Sequence, residues 1–364
     1  MNLVRSTLAL AALAISIATP ARAQNVSSYT EWFSKTTDAL VARTKAPALS
    51  VAVMENGRQI YSDAGGSVET PPRRGPGPST MYRIGSVSKL YTASIAARLA
   101  SRGIINLDAN VRQYVPEYSE KNAPITLRQL AGHLSGIRHY GAREFISTTA
   151  FDSLAPTIAI FAQDSLLFAP GTKYSYSSYG FNLLGLALER AAHKPFLRLL
   201  HDEVIEPLHL KLTAPDMPGA KLPERATTFD VNAEGVATPT TPDNLSDRWP
   251  SGGLLASVTD LARFGTAFVR PGFLPDSMIT MMTTHQHLAS GASSLVGLGW
   301  RIGVDSAGRT IWHHGGTSNG GRALLVVWPE EKLVVAIASD ALVPFDLPNA
   351  YAFANIAREG RKYR

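Results

Sequence analysis

Apolar residues form short β-rich runs near both ends of the chain. Residues 46–53 and 59–62 lie on either side of an Asn-Gly turn signal, and this pattern predicts a β-hairpin. Residues 322–328 and 332–339 are two more apolar runs separated by a short polar turn, and they predict a second hairpin.

Between the hairpins the apolar spacing becomes helical. Apolar positions three and four residues apart predict helices over residues 86–101, 126–134 and 179–192. Residues 215–247 are rich in Pro, Thr and Asp, and we predict a loop there.

Strands at both ends with helices between them indicate an α/β (α+β) protein. Residues 298–302 and 309–312 predict two further strands before the second hairpin. We expect one antiparallel sheet built from residues 24–85 and 250–364 and flanked by helices, with residues 86–249 inserted as a mainly helical subdomain. A cleft between the two parts is the default position for a ligand.

The first 23 residues have the pattern of a secretory signal. Arg5 precedes the apolar run 8–18, and Ala21-Arg22-Ala23 is a small-x-small cleavage site. The run is shorter than the roughly 20 apolar residues of a bilayer span, although an uncleaved anchor helix is the alternative. No later stretch is long enough to cross a membrane, so we expect cleavage after Ala23 and export to a bacterial periplasm.

Composition and charge exclude several classes of function. The 364 residues include no cysteine, which excludes disulfides, thiolate metal sites and a cysteine nucleophile. The formal net charge of +6 is mostly terminal, because residues 1–23 hold two basic residues and residues 358–364 hold four basic residues and one acid. Without these segments, 29 of the 35 basic and 28 of the 29 acidic residues remain. No basic block with interleaved aromatics is left, so nucleic-acid binding is not expected.

The first candidate for chemistry is an S-x-x-K pattern at the predicted start of a helix, formed by Ser86 and Lys89. Residues three apart share one helical face, so the lysine amine can reach the serine hydroxyl. A lysine held neutral by burial can take the serine proton and create a nucleophile. Taken alone, the pattern is better explained by an N-cap serine beside a solvated lysine.

Two later runs also carry reactive side chains. Tyr176 and Ser178 lie in a polar loop before a helix, where a tyrosine can act as a proton relay or merely cover the helix start. The run His313-His314-Gly315-Gly316 follows a predicted strand, and its glycines allow close backbone approach and an N–H donor for an oxyanion. Neighbouring strand residues point to opposite faces and no carboxylate is nearby, so a metal site is not expected.

In this order, Ser-x-x-Lys, Tyr-x-Ser and His-x-Gly resemble the motifs of the serine β-lactamase and penicillin-binding protein superfamily, specifically its class C-like branch of hydrolases and esterases. The resemblance covers nearly the whole chain after residue 23 and implies a β-lactamase/transpeptidase-like fold. The run 133–140 is similar to the mitochondrial β-lactamase-like proteins of animals. The other supporting stretches are residues 82–89, 126–130, 170–172, 251–254, 260–264 and 297–300.

The resemblance implies a role for each motif residue. Ser86 would be the acylated nucleophile and Lys89 its base partner. Tyr176 would be the general base for deacylation and the proton shuttle to the leaving group. The backbone N–H groups of Ser86 and Gly316 would form the oxyanion hole, and His313 would stand in place of the Lys of the family's K-T-G motif.

Two departures from the family pattern concern the substrate. Ser178 replaces an Asn whose amide would contact the substrate or the lysine. The run His313-His314-Gly315 replaces Lys-Thr-Gly, so a permanent cation and a hydroxyl suited to a β-lactam carboxylate become two imidazoles that are largely neutral at pH 7. These changes leave the acylation groups in place but argue against efficient β-lactam hydrolysis.

We therefore expect an exported serine hydrolase that forms an acyl-enzyme on Ser86 and cleaves small esters or peptide amides, D-peptides among them, without a metal or cofactor. The alternative enzyme is a β-lactamase or a penicillin-binding D-alanyl-D-alanine carboxypeptidase. The alternative outside enzymes is a non-catalytic or polymer-forming binding protein with this fold. The presence of Ser86, Lys89 and Tyr176 together argues against that last alternative.

Overall fold

The computed structural model describes residues 21–66, 75–119, 121, 123–141 and 144–363. The predicted export signal lies outside this range except for its last three residues, which begin the first helix, so the signal stays a prediction. Within these ranges no helix is both long and apolar enough to cross a membrane.

Groups of consecutive strands and groups of consecutive helices follow one another along the described chain. In chain order the strands are β1 (Leu49–Glu55), β2 (Arg58–Gly65), β3 (Tyr82–Arg83), β4 (Thr213–Pro215), β5 (Phe229–Val231), β6 (Ala237–Pro239), β7 (Leu254–Ala256), β8 (Arg301–Val304), β9 (Thr310–Ser318), β10 (Gly321–Trp328) and β11 (Leu333–Ser339). The α-helices are α1 (Ala21–Thr44), α2 (Ser88–Ser101), α3 (Leu127–Ala131), α4 (Ser178–Ala192), α5 (Phe196–Leu200), α6 (Val258–Thr266), α7 (Asp276–Thr283) and α8 (Leu347–Gly360).

The main sheet is built from the two ends of the chain, as the apolar runs predict. Its six strands have the order β2-β1-β11-β10-β9-β8, and all neighbouring strands are antiparallel. A second sheet has three strands in the order β3-β7-β4, and β5 pairs with β6. Strand β3 comes shortly before α2 in the chain. The mixed fold with an antiparallel sheet is therefore confirmed.

Alternate residues of the central strands enter two different cores. In β1, Val51 and Val53 pack on the face covered by α1 and α8, whereas Ala52 and Met54 pack on the face covered by α2, α4 and α6. Because both faces are covered, every residue of β1 and of β11 is buried. This double burial explains why these strands are continuous apolar runs instead of alternating ones.

Several elements differ from the sequence-based predictions. The segment 215–247, predicted as a loop, contains the short strands β5 and β6. The strand predicted over 298–302 begins only at Arg301, because Leu298 and Trp300 are buried in the core beside α2 and not along the sheet. Helices α1, α5, α6, α7 and α8 are not among the predicted helices. Helix α6 has only 9 residues, too few for apolar spacing to be evident, and begins at the cap Ser257.

Arg83 ties the segment 215–247 to the turn between β9 and β10. Its Nε donates to Asp216 at 2.7 Å, and its Nη1 donates to Asp243 at 2.6 Å and to the carbonyl oxygen of Asn319 at 2.8 Å. Arg83 and both carboxylates are buried. Three separate segments therefore meet at one buried cation.

We expect Arg83→Met to lower the free energy of unfolding by about 3 kcal/mol, because removing one partner of a buried ion pair leaves an uncompensated charge. Arg225 still contacts Asp216 at 2.6 Å, which limits the loss. Chemical denaturation measures the effect. Arg128→Met is the control, since its pair with Asp108 is largely exposed and should contribute at most about 1 kcal/mol. Equal losses in the two variants would contradict this account.

Candidate active site

Ser86 lies in a single 3₁₀ turn that leads directly into α2. Gly85 in this turn has a φ of +48°, and a Cβ there would come within 2.5 Å of the carbonyl oxygen of Thr317. A Cβ on Gly316 would lie 1.8 Å from the carbonyl oxygen of Ile84 and 3.1 Å from the Ser86 nitrogen. Two glycines therefore let the backbone of β9 approach the backbone around Ser86.

Lys89 is completely buried one helical turn after Ser86. Its Nζ lies 3.2 Å from Ser86 Oγ, and it donates to Ser178 Oγ at 2.9 Å and to the carbonyl oxygen of Ser251 at 2.7 Å. A neutral amine has two hydrogens and one lone pair. With both hydrogens donated to Ser178 and Ser251, the lone pair remains for the hydroxyl of Ser86.

The surroundings of Lys89 favour its neutral form. Burial holds the pKa of the Lys89 ammonium well below its usual range, and the cations of Arg301 and Arg248 lower it further. The lysine can therefore accept the proton of Ser86.

Tyr176 lies between Lys89 and Arg301. The lysine Nζ is 4.8 Å from the centre of the Tyr176 ring, and the guanidinium carbon of Arg301 is 5.6 Å from it. Burial raises the pKa of the Tyr176 phenol, and a hydrogen bond with Ser86 offsets only part of this effect. The phenol is therefore protonated in the resting protein, as a proton donor must be.

Two imidazoles hold the backbone that follows Tyr176. His133 Nδ1 accepts the N–H of Ser177 at 3.1 Å, and His139 Nδ1 accepts the N–H of Ser178 at 3.3 Å. The ring of His133 lies 4.4 Å from that of Tyr176. Helix α4 begins at this point, so the tyrosine is fixed against the helix start.

The strand register separates His313 from His314. His314 pairs with Leu325, whose side chain belongs to the core beside α2, whereas His313 pairs with Val326 on the opposite face of the sheet. The ring of His314 is buried, with its centre 6.4 Å from that of Tyr176. The structure therefore places His314, and not His313, beside Tyr176.

Both imidazoles are neutral at neutral pH. Burial and, after it, the cation of Arg301 lower the pKa of His313 to about 4. The same two causes, with a further contribution from Lys89, hold the pKa of His314 well below its usual range. Neither histidine supplies the permanent charge that a lysine would carry at this place.

The far half of β9 is an edge strand, because β8 pairs only with its first half. A two-residue turn joins β9 to β10, and the cross-strand pair next to the turn is Ser318 with Gly321. In such a hairpin this first pair is hydrogen-bonded, and non-hydrogen-bonded and hydrogen-bonded pairs alternate after it along the two strands. The N–H groups of Ser318 and Gly316 therefore point to β10. The N–H of Thr317 points to the open edge.

A cavity of about 260 Å³ opens over the candidate catalytic residues. Besides Ser86, Tyr176, Ser178, Gly315 and Thr317, its walls include His139, Tyr140, Phe145, Arg248, Ser251, Gly252, Arg301 and Ser318. Sequence reasoning did not assign a role to the two arginines. Arg301 directly follows one of the motif stretches, which was the available signal, whereas nothing in the sequence marked Arg248.

The cavity wall holds no cluster of metal-ligating side chains among the described residues. One such group lies elsewhere, formed by His201, Asp202 and Glu206. Asp202 is already paired with Lys194 and Arg198.

This chain is similar to several known proteins in sequence and fold. The human protein "Serine beta-lactamase-like protein LACTB, mitochondrial" is 24% identical over 79% of this chain and 69% of its own length. A D-stereospecific amidohydrolase from Streptomyces sp. superposes with a TM-score of 0.74 at 24% identity, covering 88% of this chain and 97% of that one. A β-lactamase/D-alanine carboxypeptidase from Yersinia pestis superposes with a TM-score of 0.73 at 21% identity, covering 92% and 99%.

The sequence profile described as Beta-lactamase matches residues 33–358. This span contains the whole main sheet and every catalytic candidate. The chain therefore belongs to the Beta-lactamase family, within the superfamily of serine β-lactamases and penicillin-binding proteins.

Proposed function

We propose that this protein is an exported serine hydrolase that cleaves small esters or peptide amides through an acyl-enzyme on Ser86. The observation that carries the proposal is the contact between Ser86 and a buried Lys89 whose two hydrogens are already donated to other groups. Export rests on the sequence pattern of residues 1–23.

Acylation begins when the neutral amine of Lys89 takes the proton of the Ser86 hydroxyl. The Ser86 oxygen then forms a bond to the substrate carbonyl carbon, and the carbonyl oxygen becomes an oxyanion. Collapse of this intermediate breaks the bond to the leaving group. The leaving atom takes the phenol proton of Tyr176, and the Lys89 ammonium then returns a proton to the Tyr176 oxygen. The proton that Ser86 lost is in this way passed on to the product through Lys89 and Tyr176.

The backbone N–H groups of Ser86 and Thr317 are the proposed oxyanion donors. The sequence pattern had suggested Gly316 for the second donor, but its N–H points to β10 in the ladder. Gly316 instead provides the space in which the two backbones meet. Fixed donors of this kind stabilise charge that develops only in the transition state.

Deacylation uses the same groups in reverse. A water molecule attacks the ester carbon of the acyl-enzyme, and Lys89 accepts its proton through Tyr176. The bond to Ser86 breaks and the serine recovers its proton, which releases the acid product.

His314 takes the place of the K-T-G lysine in this proposal. It is the histidine beside Tyr176, and His313 lies on the other face of the sheet. A neutral imidazole there can hydrogen bond but supplies no fixed charge. This difference favours esters and peptide amides over β-lactams as substrates. The likeness to a β-lactamase/D-alanine carboxypeptidase keeps the β-lactam and D-peptide activities as the second candidate.

Ser86→Ala is expected to abolish covalent labelling by a fluorophosphonate or a fluorescent penicillin. It should also lower turnover of short acyl esters by about four orders of magnitude or more, since the nucleophile is lost. Ser101→Ala, an exposed serine at the end of the same helix, is the matched control and should label like the native protein. Absence of any Ser86-dependent label across a broad probe panel would sink the enzyme proposal. Comparing nitrocefin, short acyl esters and D-alanyl peptides then ranks the substrate classes.

The pH dependence of kcat/KM should report the low pKa of Lys89. Activity requires the neutral amine, so kcat/KM falls as pH drops through the Lys89 pKa and is constant above it. Because burial lowers this pKa, we expect the fall well below 10.5, the ordinary lysine value. Lys89→Arg should be inactive at every pH, since a guanidinium stays protonated. A rise in activity centred near 10.5 would contradict a neutral resting lysine.

A matched pair of variants distinguishes the two adjacent histidines. His314→Ala is expected to lower kcat/KM by about tenfold or more, because it removes a hydrogen-bonding group beside Tyr176. His313→Ala should remain near the native value, since its side chain lies on the opposite face. Steady-state kinetics with one acyl ester measures both, with far-ultraviolet circular dichroism as the folding control. The reverse ranking would restore His313 to the role that the sequence pattern suggested.

A further inference from the structure

The proposed acylation depends on where the lone pair of Lys89 points. Its Nζ donates to Ser178 Oγ at 2.9 Å and to the carbonyl oxygen of Ser251 at 2.7 Å. The bond to Ser251 has only one direction, because a carbonyl oxygen can only accept. Ser178 carries a hydroxyl, which can also donate, and a hydrogen given to the neutral amine would occupy the lone pair. Ser86 would then lose its proton acceptor.

Tyr140 offers a different acceptor for the hydrogen of Ser178. Its phenol is hydrogen-bonded to Ser178 and, at 2.7 Å, to Ser251 Oγ, and all three residues line the cavity over Ser86. Burial raises the pKa of the Tyr140 phenol, and the cation of Arg248 and these hydrogen bonds offset this only in part. The phenol therefore keeps its one hydrogen at neutral pH, and it can donate to only one of the two hydroxyls.

Ser251 decides which hydroxyl receives the phenol hydrogen. Its Oγ donates to the carbonyl oxygen of Arg248 at 3.4 Å. The Ser251 hydroxyl therefore accepts from Tyr140, and the phenol oxygen is left to accept from Ser178. The hydrogen bonds then run in one direction through these groups in order: Lys89, Ser178, Tyr140, Ser251 and the carbonyl oxygen of Arg248.

The ring of Tyr140 is held by three neighbouring side chains. The guanidinium carbon of Arg248 lies 4.8 Å from the ring centre, and the rings of His139 and Tyr179 have their centres 4.7 and 4.8 Å away. Arg248 is in turn fixed by Asp247, whose carboxylate lies 2.7 Å from its Nε. The phenol oxygen therefore has a fixed position beside Ser178.

We propose that Tyr140 is a positioning residue that accepts the hydrogen of the Ser178 hydroxyl and so keeps the lone pair of Lys89 directed at Ser86. Tyr140 acts on the nucleophile only through Ser178 and Lys89. This inference rests on the proposed function for the role of Lys89 as the base.

The first test measures the second-order rate constant for labelling of Ser86 by a fluorophosphonate. We expect Tyr140→Phe to lower this rate constant by about tenfold or more, since the Ser178 hydroxyl then donates to the amine. Tyr61→Phe is the matched control. It removes a buried phenol oxygen that is hydrogen-bonded to Thr37 at 2.8 Å, in the core on the other face of the main sheet, and it should label at the native rate.

A double-mutant cycle shows whether Tyr140 acts through Ser178. Ser178→Ala removes the hydroxyl that competes for the lone pair, so adding Tyr140→Phe to it should change the rate constant by less than about twofold. If Tyr140 only supported the packing of the cavity wall, its loss would lower the rate constant by the same factor in both backgrounds. Equal factors, or a native rate constant in the single variant Tyr140→Phe with native circular dichroism, overturn the inference.

Neutron diffraction from crystals of the deuterated protein separates this inference from the proposed function, because it reads the hydrogen-bond directions without any turnover. We expect the deuterium of Ser178 to point to Tyr140 and Lys89 to donate to Ser178. If these directions are seen in a protein without Ser86-dependent turnover, the inference stands and the hydrolase proposal fails. A Ser178 deuterium directed at Lys89 in a protein that does turn over esters leaves the hydrolase proposal standing and overturns the inference.

Discussion

The candidate active site depends on a close contact between two backbone segments that are far apart in the chain. The turn before Ser86 and the far half of β9 meet where Gly85 and Gly316 have no side chains, and a Cβ at either place would collide with carbonyl oxygen. This contact brings the N–H groups of Ser86 and Thr317 to the same edge of the sheet. A larger residue at either glycine would push the sheet away from α2 and separate the two donors from each other.

Burial of α2 has a second consequence, because it carries Lys89 into the protein while Ser86 stays at the surface of the cavity. Desolvation disfavours the ammonium form, and the neighbouring cations act in the same direction. Burial also raises the pKa of the Tyr176 phenol and lowers the pKa values of the two histidines. The central groups of the site are therefore an amine, a phenol and imidazoles in their neutral forms, which suits proton transfer without a net charge in the resting state.

Membership of the Beta-lactamase family accounts for the fold, while the residues that depart from the family's motifs distinguish this chain. Ser178 still contacts Lys89 although it is shorter than the Asn it replaces. Neither His313 nor His314 supplies a fixed positive charge on β9, whereas the exposed Arg301 on β8 is a cation in the cavity wall. Compared with the family's K-T-G motif, the fixed positive charge at this sheet edge therefore lies on β8 and not on β9.

The sequence by itself determined the two hairpins, because strands buried on both faces are visible as apolar runs. It also determined the pairing of Ser86 with Lys89, because residues three apart on a helix are neighbours. It missed α6 and α7, whose few turns carry little periodic signal. Only the tertiary structure decided which of His313 and His314 faces Tyr176, since adjacent strand residues are equivalent until the register is known. It alone also brought Arg248 and Arg301 to the cavity and set the pKa of Lys89, because both depend on how distant segments pack around a buried group.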